Sequence, residues 1–438
     1  MSLYSSASDF AKDQWLDVFA DQLTRSDGSL LNLFGLNTDE RVKMEGRRSY
    51  MKLKIGDDLG FGMLGQGGDF PTPGDITADE AQLELHRFAN TISFDAHEMA
   101  LLDSLDAAAA PIMAEKMSSA RNRVLRELER QAIMDGTGIL AKHASDSGAT
   151  ITLDVAGAEY AERNPYTWID DANRSRYSLV NPTTGADVTQ GWTISSIVES
   201  TNVITTSATQ TSGTAADVIV TDYGASAWAS GGAFRSLEMD GLLAMIADDN
   251  TYLGLDRTTA SLAFWRSLEL ANSGTNRDLT DNLIHEFMNK YGRRTEMGVL
   301  DPNKIVGLAS PGVWTAYHQL MSSGIRYDVS ATPDIGWGGR AFLPMHGIKV
   351  YKHQKAPRNQ LLMVNKDQVK FVGPKHDHSS IVKFLERNGS IFFQANASSG
   401  QGYADKVYAM ITGWIGMYTE RPREHARLND LTEIGSAY

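Results

Sequence analysis

The stretch Ala120-Arg121-Asn122-Arg123-Val124-Leu125-Arg126-Glu127-Leu128-Glu129-Arg130-Gln131-Ala132-Ile133-Met134-Asp135-Gly136-Thr137-Gly138 decides how the rest of the chain is read. Met113, Met117, Ala120, Val124 and Leu128 recur at helical spacing and form one apolar stripe. Arg121, Arg123, Arg126, Glu127, Glu129 and Arg130 cover most of the remaining surface. Gly136 and Gly138 stop the helix, glycine being the usual residue past a C-terminus. The helical pattern runs back to Glu98, and Pro111 divides it because proline lacks the amide donor. A stripe of arginines suits nucleic acid, but the interleaved Glu115, Glu127 and Glu129 favour ion pairs along the helix and between subunits.

Upstream, Asp9 to Arg25 has the spacing of a short amphipathic helix, with Trp15, Leu16, Phe19 and Leu23 on one face. So short a helix needs a surface to lie on, its own domain or a neighbouring subunit. Arg48–Ile55 and Gln82–Phe94 alternate as strands. Between them lies Gly60-Phe61-Gly62-Met63-Leu64-Gly65-Gln66-Gly67-Gly68-Asp69-Phe70-Pro71-Thr72-Pro73-Gly74. Two strands joined by a long Gly/Pro loop bury little and rest on something else.

Downstream, Ala149–Tyr223 is rich in Thr, Ser, Val and Ile. Strands are predicted at 176–180, 192–199, 203–209 and 218–221, a small antiparallel β-domain. Helices are predicted over Phe234–Ile246, Ala260–Ala271, Thr280–Tyr291 and Val313–Met321, with Asp278 and Thr280 as capping residues. Strands are predicted at Lys304–Leu308, Gly347–Tyr351, Gln360–Val364 and Val369–Val372. Longer ones follow at Ile381–Phe393 and Lys406–Thr419, before the polar ending Glu420-Arg421-Pro422-Arg423. The resulting division is 1–47, an arm; 48–97, a hairpin loop; 98–148, the long helix; 149–223, the β-domain; 224–375, a mixed α/β domain; and 376–438, the last strands and C-terminus.

At 438 residues and 42% hydrophobic the chain fills two or three modest cores. A net charge of −13 argues against a subunit whose main task is gripping phosphates, though not against a sequence-blind encounter with them. With no cysteine, disulfides, thiolate metal sites and a thiol nucleophile are excluded. The N-terminus lacks the basic start and apolar core of a secretion signal. The longest apolar stretch, Val407–Tyr418, is far short of the ~20 residues of a membrane helix.

Chemical motifs are few. Gly60-Phe61-Gly62-Met63-Leu64-Gly65 fits the dinucleotide pattern, but the glycines and prolines that follow forbid the helix it needs. His376-Asp377-His378 puts two imidazoles on one strand face, which suits zinc, yet no third ligand stands nearby and an exposed turn explains it as well. His285-Glu286 and His97-Glu98 lack a second histidine one helical turn on. Asp248-Asp249-Asn250 lacks the glycine and distal glutamate of a calcium loop and reads as a helix end. No catalytic residue, metal ligand or cofactor site is expected.

The order of these parts resembles the major capsid proteins of tailed bacteriophages, which share the Hong Kong 97 fold. Ser49–Phe94 looks like their extended loop and Ala107–Asp135 like their spine helix, with Asp135-Gly136-Thr137-Gly138 at its end. Met239-Asp240-Gly241-Leu242-Leu243, Thr251-Tyr252-Leu253-Gly254-Leu255-Asp256-Arg257, Trp265, Ser310-Pro311-Gly312-Val313-Trp314 and Gly338-Gly339-Arg340 resemble one branch, in which a β-domain is often inserted after the spine. The resemblance implies an α+β, Hong Kong 97-like fold with arm, extended loop, spine helix, peripheral and axial domains and an inserted β-domain.

It also implies a structural, non-enzymatic subunit. Such subunits assemble through pentamers and hexamers into an icosahedral head in the bacterial host cytoplasm and enclose double-stranded DNA, contacted non-specifically. Portal and scaffolding proteins are implied partners; about forty-seven residues precede the loop, which points to a separate scaffolding protein or none. The residues expected at assembly contacts are Trp15, Phe19 and Leu23 of the arm, Phe61 and Phe70 of the loop, and Arg121, Arg126 and Arg130 of the spine. The alternatives are an encapsulin-like compartment shell and, from another class, a metal-dependent hydrolase using His376 and His378. No membrane association is expected.

Overall fold

The long helix anchors the computed structural model: α1 spans Ala109–Ile133. Pro111 falls in its first turn, where a missing amide costs no helical hydrogen bond. Ala120, Val124 and Leu128 are buried, as the stripe requires. Arg130 departs from the expected polar face, with 2% exposure and its Nε 3.2 Å from Glu127 Oε2. The cause is local. Leu128, Gln131, Ala132, Ile133 and Met134 are all buried as well, so the last turn is enclosed around most of its circumference. The described residues are 44–45, 48–54, 63, 78–95, 109–154, 175–198, 201–209, 213–222, 229–230, 233–234, 237–295, 301–324, 342–372, 382–384, 392–396 and 403–434. The chain forms two units: Met1–Lys52, Glu80–Ala132 and Lys370–Tyr418 make the first; Leu53–Asp79, Ile133–Val369 and Thr419–Tyr438 make the second.

In the N-terminal part, β1 (Met44–Glu45), β2 (Arg48–Lys54) and β3 (Ala78–Glu84) form a sheet in that order, and β4 (His86–Asp95) follows Leu85. The single strand expected over Gln82–Phe94 is therefore two. Burial shows why: Ala81, Leu83 and Leu85 are inside, then Ile92 and Phe94. A change from odd to even positions swaps the strand's faces, so β3 stays in the ribbon while β4 joins another sheet.

The second unit opens with β5 (Ile139–Ser147) and β6 (Thr150–Asp154), a hairpin. With β7 (Tyr177–Val180), β8 (Asp187–Trp192), β9 (Ile194–Val198), β10 (Val203–Thr206) and β11 (Val218–Thr221) they make an antiparallel sheet ordered β8-β7-β11-β5-β6-β10-β9. The strand expected from Trp192 to Glu199 is broken at Thr193, the one residue between β8 and β9, which occupy opposite ends of that order. The sheet must curl until its ends approach. Ser207 ties the corner, donating from its amide to Thr193 O at 2.8 Å and accepting the Thr193 amide on Oγ at 2.9 Å. Tyr177, Leu179, Trp192, Ile194 and Ile204 fill the interior. The sheet starts at Ile139, ahead of the expected Ala149, and β5 sits at its centre.

Next come the pair β12 (Ala229–Ser230) and β13 (Ala233–Phe234), the short α2 (Leu242–Ile246), the hairpin β14 (Thr251–Tyr252) and β15 (Leu255–Asp256), a 3-10 helix at Ala260–Trp265, and β16 (Leu268–Leu270). Both helices expected here are shorter than predicted. Every residue of α2 is buried, so its apolar run reflects enclosure on all sides rather than one face of a longer helix. Strand pairing overrides helical propensity at 268–270, where β16 lies parallel to β25 (Ala426–Leu428).

Then α3 (Asp281–Arg294), β17 (Ile305–Ala309), α4 (Pro311–Gly324), β18 (Phe342–Met345), β19 (Ile348–Lys352) and β20 (Leu361–Asn365) complete the unit. Thr280 caps α3, its side chain accepting the Leu283 amide at 3.3 Å. The sheet order is β16-β25-β20-β17-β19-β18. Leu283, Ile284, Phe287 and Tyr291 of α3 and Val313 and Tyr317 of α4 pack with Ile305, Val350, Met363 and Leu428 in one core. Full burial of each such side chain contributes ~1.5–3 kcal/mol.

The chain returns to the first unit through β21 (Val369–Val372), β22 (Val382–Phe384), β23 (Phe392–Asn396) and β24 (Tyr403–Thr419). Of the strand expected over 381–393, residues 382–384 fall in β22 and 392–393 in β23; 381 and 385–391 lie outside the described residues. All three partners and β4 pair with β24, β4 in register from Lys406–Asp95 to Ile415–His86. A Cβ on Gly416 would meet Leu85 Cδ2 at 3.0 Å, so the glycine permits the close approach of the ribbon's end. Helix α1 lies on this sheet: Asn90 Nδ2 donates to Ala120 O at 3.0 Å and Lys116 Nζ to Ser93 O at 3.3 Å.

Candidate functional site: assembly surfaces and a buried lock

Of the residues expected at assembly contacts, Trp15, Phe19, Leu23, Phe61 and Phe70 lie outside the described residues. Arg121 stands on α1 with its side chain outside them too; Arg126 is half-buried, and Arg130 is buried and paired with Glu127. The exposed face of α1 instead carries Glu115, Ser118, Ser119, Asn122 and Arg123. At the ribbon Tyr50 is 47% exposed, and Met63 of the connecting loop is 92% exposed.

His97, His376 and His378 lie outside the described residues. His285 is exposed on α3 and meets His346 edge-on at 4.8 Å, while Glu286 pairs with Lys290. Asp248-Asp249-Asn250 is a turn closing α2, with Asn250 Nδ2 donating to Ala244 O at 3.3 Å. Among the described residues, no group of three or more His, Asp or Glu side chains is placed to hold a metal, and no helix is long and apolar enough to cross a membrane.

The densest polar construction was not foreseen. The ending read as polar, Glu420–Arg423, belongs to a longer segment, Thr419–Leu431, that runs within the second unit, and β25 lies between β16 and β20. His425 is fully buried. Its Nδ1 takes the Asn365 amide at 3.2 Å, an N–H that only donates, so Nδ1 carries the lone pair and Nε2 the proton, donated to Thr419 Oγ1 at 2.9 Å. Burial first, then the nearby Arg257 guanidinium, hold this imidazole down at about 3. Glu424 accepts Asn365 Nδ2 at 2.7 Å and Arg421 Nη1 at 3.1 Å, and its carbonyl accepts the Tyr291 hydroxyl at 2.7 Å. Tyr252 Oη accepts the Thr419 amide at 3.0 Å. Arg257, with no exposure, lies 4.5 Å from the Tyr252 ring centre and donates to the carbonyls of Ala244, Met245 and Ala247 at the end of α2. Burial lowers its guanidinium to about 10. Arg427 pairs with Glu269 at 2.5 Å. This network fixes a scaffold; it presents no nucleophile to solvent. Its only sequence signal was Ala426-Arg427-Leu428, too short an alternation to distinguish from chance.

No protein-family profile matches the sequence, and no curated relative is found. Among solved structures, the capsid asymmetric unit of cyanophage A-1(L) matches with a TM-score of 0.51 at 12% identity, over 93% of this chain and 94% of that one. Looser likenesses are the capsid of a native GTA particle computed with C5 symmetry (TM-score 0.46, 10% identity, 93% and 91% covered) and Microbacterium phage Oxtober96 (0.43, 12%, 92% of each). The first likeness runs nearly end to end and takes in both units. This chain therefore has an α+β, Hong Kong 97-like fold, the fold of a phage capsid subunit.

Proposed function

We infer that the protein is a structural shell subunit, a major capsid protein that self-assembles through pentamers and hexamers into a closed icosahedral head around double-stranded DNA. The supporting observation is the likeness in fold to the cyanophage A-1(L) capsid unit across 93% of the chain. The work is geometric: many weak contacts, repeated by closed symmetry, become jointly strong. In this reading the arm helix with Trp15, Phe19 and Leu23, and the loop with Phe61 and Phe70, clasp neighbouring copies. Arg121 and Arg126 form ion pairs between subunits, and Arg130 acts inside its own helix. No catalytic activity belongs to this reading. Portal and scaffolding proteins are its partners, and the virion head, assembled in the host cytoplasm, is its location.

Negative-stain microscopy and sedimentation of the purified protein test it. Capsomers or closed shells are expected; a stable 48.0 kDa monomer at all micromolar concentrations would sink it. Deleting residues 2–36 should leave a folded subunit that forms no closed particles. Normal shells from that variant would remove the arm from the assembly contacts.

A further inference from the structure

His285-Glu286 has no second histidine one turn on along α3, yet folding brings one to it from another element. Strands β18 and β19 pair with Met345 opposite Ile348, which leaves His346-Gly347 as a two-residue turn. Both turn residues have positive φ, +48° for His346 and +85° for Gly347, as a tight hairpin of this kind requires. Asparagine, aspartate or glycine ordinarily fills the first position, and a histidine there is uncommon. Met345 and Ile348, on either side of the turn, share one core with Ile284 and Met288 of α3, which adjoin His285 on the helix. This packing fixes the turn against α3, and the two histidines meet outside the core with both side chains exposed. Their ring centres are 4.8 Å apart and their planes stand at 83°. Neither ring makes a hydrogen bond or an ion pair with another described residue.

We propose that His285 and His346 form a two-histidine site for a divalent transition-metal ion of the zinc and copper class, with water in the remaining positions. Metal–nitrogen bonds of about 2.0–2.1 Å put the centre of each ligating ring about 3.2 Å from the ion, so two centres stand about 4.5 Å apart at a right angle and about 5.2 Å at a tetrahedral one. The observed separation lies between these values. The backbone therefore sets the spacing that chelation needs, and only the ring planes have to turn, about a soft torsion. Imidazole nitrogen suits zinc, copper and nickel, whereas magnesium and calcium prefer oxygen. Asp281, exposed one turn before His285, adds negative charge on this side of α3. Its charge, after burial, helps push up the Tyr317 hydroxyl, which donates to Pro344 O at 2.6 Å, two residues before His346. Among the described residues no third His, Asp or Glu joins the pair, so the ion keeps an open coordination sphere. Bound there, it pins the β18–β19 turn to α3 and stabilises the folded unit by mass action. The site goes beyond the shell reading and stands whether or not particles form.

The test is isothermal titration of the full-length protein with zinc chloride, beside His285→Gln and His346→Asn. Asparagine suits the positive φ of the turn, and glutamine is a good helix former at an exposed position, so both variants should fold, which circular dichroism checks. The parent should take up one equivalent of zinc that each variant lacks, and magnesium chloride should not replace it. Copper added below one equivalent gives a second readout by electron paramagnetic resonance: coupling to two imidazole nitrogens in the parent and to one in either variant. His376→Ala/His378→Ala should keep the zinc equivalent. Its loss there, with retention in the His285 and His346 variants, overturns the proposal in favour of the other pair. No uptake by the parent, or the same stoichiometry and copper spectrum in parent and variants, also overturns it and leaves the two rings as an edge-on packing contact. If His346→Asn does not fold, His285→Gln decides alone.

Discussion

Lowering the pH from 7.5 to 5 should weaken the C-terminal lock through His425. In the unfolded chain an imidazole titrates near 6.5; buried here it titrates at about 3. Neutral His425 therefore contributes its full stability above pH 6.5, and that contribution is lost as pH falls from 6.5 toward 3. The loss is about 1.4 kcal/mol per pH unit, or about 2 kcal/mol at pH 5. The geometry supplies the cause. A proton on Nδ1 would set one N–H against the Asn365 N–H and add charge beside the Arg257 guanidinium, in a network where Tyr252 is joined through Thr419 and Tyr291 and Arg421 through Glu424. Glu424 is engaged by Asn365 and Arg421. Other groups titrate too; burial raises the Glu269 carboxyl, which acts in the opposite sense on acidification. The control is His425→Gln, which keeps an acceptor and a donor but has no proton to gain, leaving the other groups in place. The readout is the opening free energy of the β25 amides by hydrogen exchange, because a chain of two units need not unfold in one step. The parent should lose about 2 kcal/mol more than the variant between pH 7.5 and 5. A constant difference between the two across that range would refute the assignment of His425 as the acid-sensitive member.

Other expectations concern the helix and the β-domain. Leu128→Ala should cost ~2–5 kcal/mol in denaturant unfolding, Leu128 being 3% exposed. Arg126→Ala, half-buried, should cost ~0–1 kcal/mol, while Arg130→Ala should cost ~1–3 kcal/mol because Arg130 is 2% exposed and its loss removes both its packing and its hydrogen bond to half-buried Glu127; equal losses for the two arginines would contradict their placement. Gly136→Ala puts a Cβ 2.6 Å from Asp240 Oδ1 at φ +80°, so the melting temperature should fall, and an unchanged one would show that the turn relaxes freely. Removing residues 139–222 and bridging with a short Gly linker should leave a folded remainder by circular dichroism, since Ile139 and Val220 face each other across β5 and β11. Removing 149–223 should give an aggregated product, because β5 would keep its buried Ile139 and Leu140 without partners.

The sequence by itself determined what depends on local period and composition. The stripe through Ala120, Val124 and Leu128 defined α1; Thr280 announced α3; the patterns at Lys304–Leu308, Gly347–Tyr351 and Gln360–Val364 announced three strands of the mixed sheet, each placed within one residue of its observed bounds. Absence of cysteine closed off whole classes of chemistry. What only the tertiary structure decided was pairing and enclosure. Nothing local says that Leu85 is where a strand changes sheets, because alternation continues across it and only the identity of the inward positions changes. Nothing local says that Thr193 is a corner, since the curl follows from which strands meet at the far ends of the sheet. Arg130 and the charged ending Glu420–Arg427 look solvated one residue at a time. Arg130 is buried beside its own helix neighbour Glu127, and of the ending all but Arg421 is buried or half-buried, where partners distant in the chain, Glu269, Asn365 and Tyr291, meet its polar atoms. A buried polar group is tolerable only when its hydrogen bonds are made, and those partners become neighbours only once the chain has folded.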